Sequence, residues 1–309
     1  MTMLMFNTFL RTVVMVTNRK KFCKLLEHIR QMYEELMMER DAEICRIMED
    51  HTAMVLKISK INLIMGMLTT VGFTVFPIIS EEREFIFGIY VPYLKEYQSP
   101  WYEILLTGQS VLNLSAMCIF IAFTAMFISY FMFAIAISKV LQYKLSRTCT
   151  EVSSKIVERK IVECIKLHLR LISFIEQINE LCGFIALMDF LLFVIVLCIM
   201  LLSFILVKTV TQKCIITVYI TMVFTQAFLL YYFSNEVFYE SLQISTAAYD
   251  INWFNYDVRT QVVLKLLLLR SQKPCAILIV KSYPVNLRRL QVLVKITYSV
   301  FTLLEKVYG

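Results

Sequence analysis

The 309-residue chain is 59% hydrophobic and only 18% charged, with a mean hydropathy of +0.68, against about half and about a quarter in an ordinary soluble domain, which excludes a water-soluble globular protein. The formal charge of +7 does not imply nucleic acid: the basic residues sit in short segments between apolar blocks, mixed with carboxylates, as orientation signals at helix ends. Nine Cys without a CxxC pair, and three isolated histidines, His28, His51 and His168, give neither a disulfide framework nor a metal site, and no cofactor is expected.

The apolar residues cluster into blocks of roughly 20, the length of a membrane-crossing helix, rather than alternating as barrel strands do. Residues 1–16 carry an apolar face interrupted by Arg11; they are too short to span, lack signal-peptide features, and look like the tail of a helix. Residues 18–60, with nine Lys/Arg against eight Asp/Glu and no Gly or Pro, predict one long amphipathic helix in water. Together, 1–60 are a helix remnant plus a polar helix. Residues 61–138 hold two spans: 61–79, stopped by Pro77 and an acidic run, and 104–138, which at 1.5 Å per residue reaches ~50 Å and must protrude from a core of ~30 Å. The 80–103 loop joins them with two basic and five acidic residues. Segment 139–182 is polar with eight Lys/Arg, 183–233 holds two further spans, and 234–284 is polar again before a final helix at 285–309.

Segments 18–60 and 139–182 carry seventeen basic residues between them and the 80–103 loop two. The basic segments therefore face the cytoplasm, and the final helix ends outside. Within segments 139–182 and 234–273, CIKLHLRLISFIEQI and VVLKLLLLR present apolar faces that need partners.

In the final helix, Lys295, Ser299, Thr302 and Lys306 form one narrow polar stripe with Glu305 on its flank, while Ile296, Val300, Leu303 and Val307 lie away from it. A Lys at the bilayer centre costs about 2.5 to 3.5 kcal/mol, so this is not a lipid anchor. Periodicity leaves two readings open: a stripe packed inside a monomeric bundle, or one wall of a pore formed by several copies.

The residues of the C-terminal half decide further. SLQISTAAYDINWFNYDVRTQVVLKLLLLRSQKP, with Tyr249, Trp253 and Arg259, NLRRLQVLVKITYSVFTLL, with Tyr298 to Leu304, and more weakly CIKLHLRLISF around His168, resemble the insect odorant receptors. The resemblance implies an all-α membrane protein: a helical transmembrane bundle with long cytoplasmic helix extensions, inverted relative to G-protein-coupled receptors. The family carries two further helices before residues 61–79, and residues 1–16 match only the tail of the second. A shortened gene product accounts for this as well as a short receptor does.

What the resemblance implies for function is the tuning subunit of a ligand-gated, non-selective cation channel, assembled as a hetero-tetramer with a shared co-receptor in the plasma membrane of olfactory neurons. Its partners are that co-receptor, a small volatile odorant and the lipid bilayer. The same resemblance sets the pore at Phe301 and, one turn on, Glu305, whereas the polar stripe selects Ser299 and Thr302, so the expected pore surface spans Ser299 to Glu305. By the resemblance His168, Tyr249 and Trp253 belong to the cytoplasmic subunit anchor. The odorant pocket is drawn from Thr69, Thr70 and Phe73; Gln109, Leu112, Asn113 and Met117; and Tyr219, Met222 and Val223. Gln109 and Asn113 are the sharper candidates, since an amide inside a membrane needs a partner. The related gustatory receptors are the alternative of the same architecture. An enzyme is not expected: HExxH, GxSxG and a Gly-rich phosphate loop are all missing from the sequence. Asp189 stands as the one intramembrane acid, read as a packing or capping group.

Overall fold

The computed structural model describes residues 2–79, 83, 85–86, 97–148, 153–207, 209–279 and 283–308. Most of the expected 80–103 loop lies outside these. The described residues are about 89% helical: α1 (Thr2–Thr17), α2 (Arg19–Met38), α3 (Ala42–Ile79), α4 (Trp101–Thr148), α5 (Ser154–Leu206), α6 (Val210–Tyr249), α7 (Val258–Ser271) and α8 (Leu287–Tyr308). A single 3-10 turn, Trp253–Asn255, precedes α7. A two-stranded antiparallel hairpin, β1 (Leu278–Ile279) with β2 (Tyr283–Pro284), precedes α8.

Among the described residues, α3, α4, α5 and α6 each contain a stretch long and apolar enough to cross a membrane. Each also runs well past that stretch: α4 and α5, with 48 and 53 residues, reach about 70 to 80 Å at 1.5 Å per residue. Much of the polar segments thus continues the membrane helices, while α2, α7 and the hairpin stand as separate elements. Gly183, in the interior of α5, does not break it. α8 differs in kind, carrying Arg288, Arg289, Lys295, Glu305 and Lys306 on 22 residues, about 33 Å of helix.

The polar helix expected over 18–60 is in fact divided. α2 ends at Met38, Arg40 takes a left-handed backbone with φ of 52°, and α3 starts at Ala42 and runs unbroken into the membrane stretch. Side chains fix the break: the Asp41 carboxylate accepts the Glu43 N–H at 3.1 Å, capping α3, and also the Tyr143 hydroxyl and Arg147 guanidinium of α4. Residue-level helix propensity could not reveal it, because the capping group's other partners are a hundred residues away.

α4 is the central post, packed by α3, α5 and α6. Its 127–141 portion is buried on nearly every side, with Phe131, Ala134, Ile137 and Leu141 in the core, as expected of a helix apolar all round. α3 and α4 approach closely at Gly66, where an added Cβ would stand 2.2 Å from Ile121 Cδ1 and 3.3 Å from Met117 Sδ. Gly66→Ala is expected to displace only the flexible end of Ile121, at about 1 kcal/mol. Gly66→Leu must spread the two helices and cost about 3 kcal/mol or more, read as a lower melting temperature of the solubilised protein. The hairpin is held from both sides. Asn179 of α5 donates to Ala276 O and accepts from Leu278 N, and Ser234 of α6 donates to Val285 O at 2.7 Å.

Candidate functional site

A cavity of about 150 Å³ lies between α1, α3, α4, α5 and α6. Its wall is mostly apolar and aromatic. Near one end, Phe73 and Tyr219 meet edge to face at 5.3 Å and Thr69 Oγ1 lies 3.3 Å from Met222 Sδ. Met117, Asn113 and Val223 complete that end, with Asn113 Nδ2 and the Tyr219 hydroxyl buried and unpartnered. Farther along, Phe120, Phe127, Phe190 and Phe193 line it, and Ile279 and Val285 of the hairpin segment close the wall toward α8.

Of the ten residues put forward for a ligand pocket, Thr69, Thr70, Phe73, Asn113, Met117, Tyr219, Met222 and Val223 share this one cavity. Gln109 and Leu112 do not belong to its wall. Gln109 is buried elsewhere along α4, and Leu112 is turned outward at 61% exposure. Leu112 falls on a face of α4 other than the one Asn113 and Met117 share, whereas Gln109 is on that face but one helical turn farther toward the start of α4, beyond the end of the cavity.

The sequence reading missed the contribution of α1 and α5. Arg11 Nη2 donates to both oxygens of Asp189, at 2.8 and 2.9 Å, and Asn7 Nδ2 donates to the same carboxylate at 2.8 Å. Arg11 is 6% exposed, and its guanidinium lies 4.4 Å from the Phe120 ring centroid. Asp189 is therefore not a lone acid but half of a buried ion pair on the cavity wall. The available signal was complementarity: one basic residue interrupting the apolar opening segment and one acid in an apolar span.

α8 packs on α5 and α6 through Leu290, Leu293 and Thr297, all buried, with Phe301 half-buried one turn on. Lys295, Ser299 and Lys306 point to the other side and are exposed, with Thr302 partly so. The polar stripe therefore faces away from the rest of the described chain. Ser299 and Thr302 satisfy their hydroxyls on Lys295 O and Ser299 O within the helix. Phe301 sits with the packed side rather than on the stripe, and Glu305 is exposed. Ile296, Val300 and Leu303, away from the stripe, are exposed as well, so the packing side is the one marked by Leu293 and Thr297.

Tyr249 and Trp253 are on the surface beside an exposed apolar row on α7, Val258, Val262, Leu266 and Leu269. His168 is not: it is 2% exposed, inside its own chain's core. Burial, with the positive Arg270 adding to it, pushes the His168 imidazole down to about 4 from 6.5. The unfolded chain then takes up a proton at His168 between these values while the folded chain does not. Stability is complete above 6.5 and falls as pH drops, by roughly 2 kcal/mol at pH 5 and about 3 kcal/mol below pH 4. A melting series from pH 7.5 to 5 should show this loss in the wild type and a smaller one in His168→Phe.

The profile described as 7tm Odorant receptor matches residues 1–298. The chain is 38% identical over 305 residues to Odorant receptor 30a of Drosophila melanogaster, covering 98% of this chain and 81% of that one. It is 33% identical to Odorant receptor 10 of Aedes albopictus, covering 99% and 82%. Its fold superposes on the insect olfactory receptor OR5 from Machilis hrabei, solved in complex with eugenol, with a TM-score of 0.85 at 15% identity, over 99% of this chain and 80% of that one. The chain belongs to the odorant receptor family.

Proposed function

We propose that this receptor is the tuning subunit of an odorant-gated, non-selective cation channel. In this reading the cavity between α1, α3, α4, α5 and α6 receives a small volatile ligand, and α8 contributes one wall of a pore completed by other subunits, among them a shared co-receptor in a tetramer. One observation carries the proposal: the cavity and the polar helix meet. Val285 lines the cavity and lies two residues before α8, whose stripe turns away from its own chain. A polar stripe on a membrane helix needs water or another protein surface opposite it, and copies of α8 around an axis supply both.

Shape dominates recognition in the apolar part of the cavity, where burial contributes about 25 cal/mol per Å² without hydrogen-bond geometry. The exposed apolar row on α7, with Tyr249 and Trp253, is the anchor surface through which neighbouring subunits hold each other. His168 lies behind it, buried in the core on α5. In this reading that surface lies in the cytoplasm and α8 ends outside the plasma membrane of an olfactory neuron, an orientation that the charge of the basic segments supports.

Whole-cell recording from cells expressing this chain with the co-receptor tests the reading. Odorant-evoked cation currents that are absent with the co-receptor alone are the expected result. Silence across a broad volatile panel, with the protein present at the cell surface, contradicts it.

A further inference from the structure

Resting on the reading of the cavity as the odorant site, we propose that Arg11 forms a polar subsite within it. The preferred ligands are then uncharged, benzene-sized molecules bearing one oxygen that accepts a hydrogen bond, such as a ketone or an alcohol, in preference to hydrocarbons of the same shape. A guanidinium has five N–H donors and no acceptor. A structural ion pair commonly uses two of its nitrogens side by side against a carboxylate. Here Nη2 alone meets both Asp189 oxygens, while Nε and Nη1 are buried without a partner. Asn7 binds the same carboxylate, holding it against Nη2.

Arg11, Asn7 and Asp189 all belong to the cavity wall. Donors left unpaired in a dry, charged group are costly, and a ligand oxygen within reach relieves that cost. The sign of the ligand charge is set by the same cluster. An anion would meet the Asp189 carboxylate, a cation would meet Arg11, and the pair is neutral as it stands. Asn7 Oδ1 is also buried and unpartnered, so a hydroxyl can accept from Arg11 and donate to Asn7. Size follows from the volume of about 150 Å³, which in an apolar cavity accommodates a benzene-sized ring.

The test compares cyclohexanone with methylenecyclohexane, which differ only in an exocyclic oxygen against a CH₂ group, by the ligand-induced rise in melting temperature of the full chain in lipid nanodiscs. The Kd fitted to the melting shift should be at least about tenfold lower for cyclohexanone, a preference of about 1.4 kcal/mol. In the double variant Arg11→Leu/Asp189→Leu the ratio should fall to about one, with methylenecyclohexane still bound. Equal binding of the two probes by the wild type, or an unchanged ratio in the double variant, overturns the polar subsite and leaves the odorant cavity standing. Binding of neither probe to the wild type overturns both. The wild-type comparison needs no substitution, so it decides the matter even where the double variant does not fold.

Discussion

Asp189→Leu alone is expected to destabilise the receptor by about 3 to 5 kcal/mol, while Asp189→Leu combined with Arg11→Leu costs little or nothing. The single change leaves Arg11, 6% exposed, as a charge that cannot be shed and whose bonded partner is gone. The Phe120 ring at 4.4 Å offers a cation–π contact worth only about 2 kcal/mol when desolvated. The double change removes both charges and places apolar side chains in an already apolar wall. Arg11→Leu alone leaves the carboxylate bonded by Asn7 and should fall between the two. Melting of the purified chain separates these outcomes, the Asp189→Leu variant dropping by about 6 °C or more. Equal losses in the single and double variants would mean that the pair contributes no coupling and that packing of α1 against α5 does.

What the amino-acid sequence disclosed was governed by period and by composition. Four membrane stretches, the overhang of α4 and the polar stripe of α8 were legible because each is a local pattern. Eight of ten proposed pocket residues share a cavity because the helices and faces were inferred together from the family resemblance. Leu112 failed through the rotation of α4, which a single turn of sequence does not fix, and Gln109 failed because the cavity ends one turn short of it along the same face. The division between α2 and α3 at Arg40 was not legible, since Asp41 is held there by Tyr143 and Arg147. The hairpin before α8 was hidden for the same reason: Asn179 and Ser234, on two other helices, hold its backbone. The Arg11–Asp189 pair spans 178 positions, and each member alone reads as an oddity in an apolar segment. His168, expected in the subunit anchor by motif, is buried in the core of its own chain, because the apolar face of α5 turns it inward.

The polar face of α8, proposed to border the ion path, allows a direct contrast within one helix. Ser299 points away from its own chain and Thr302 partly so, whereas Thr297, between them and the hairpin, is buried at 3% exposure against the bundle. Cysteines introduced singly at 297, 299 and 302, in a channel assembled with the co-receptor and challenged by a small charged thiol reagent during odorant stimulation, separate the two faces. Modification at 299 and 302 is expected to remove most of the evoked current while 297 is spared. Currents untouched at both 299 and 302, with the introduced thiols present at the cell surface, would contradict it.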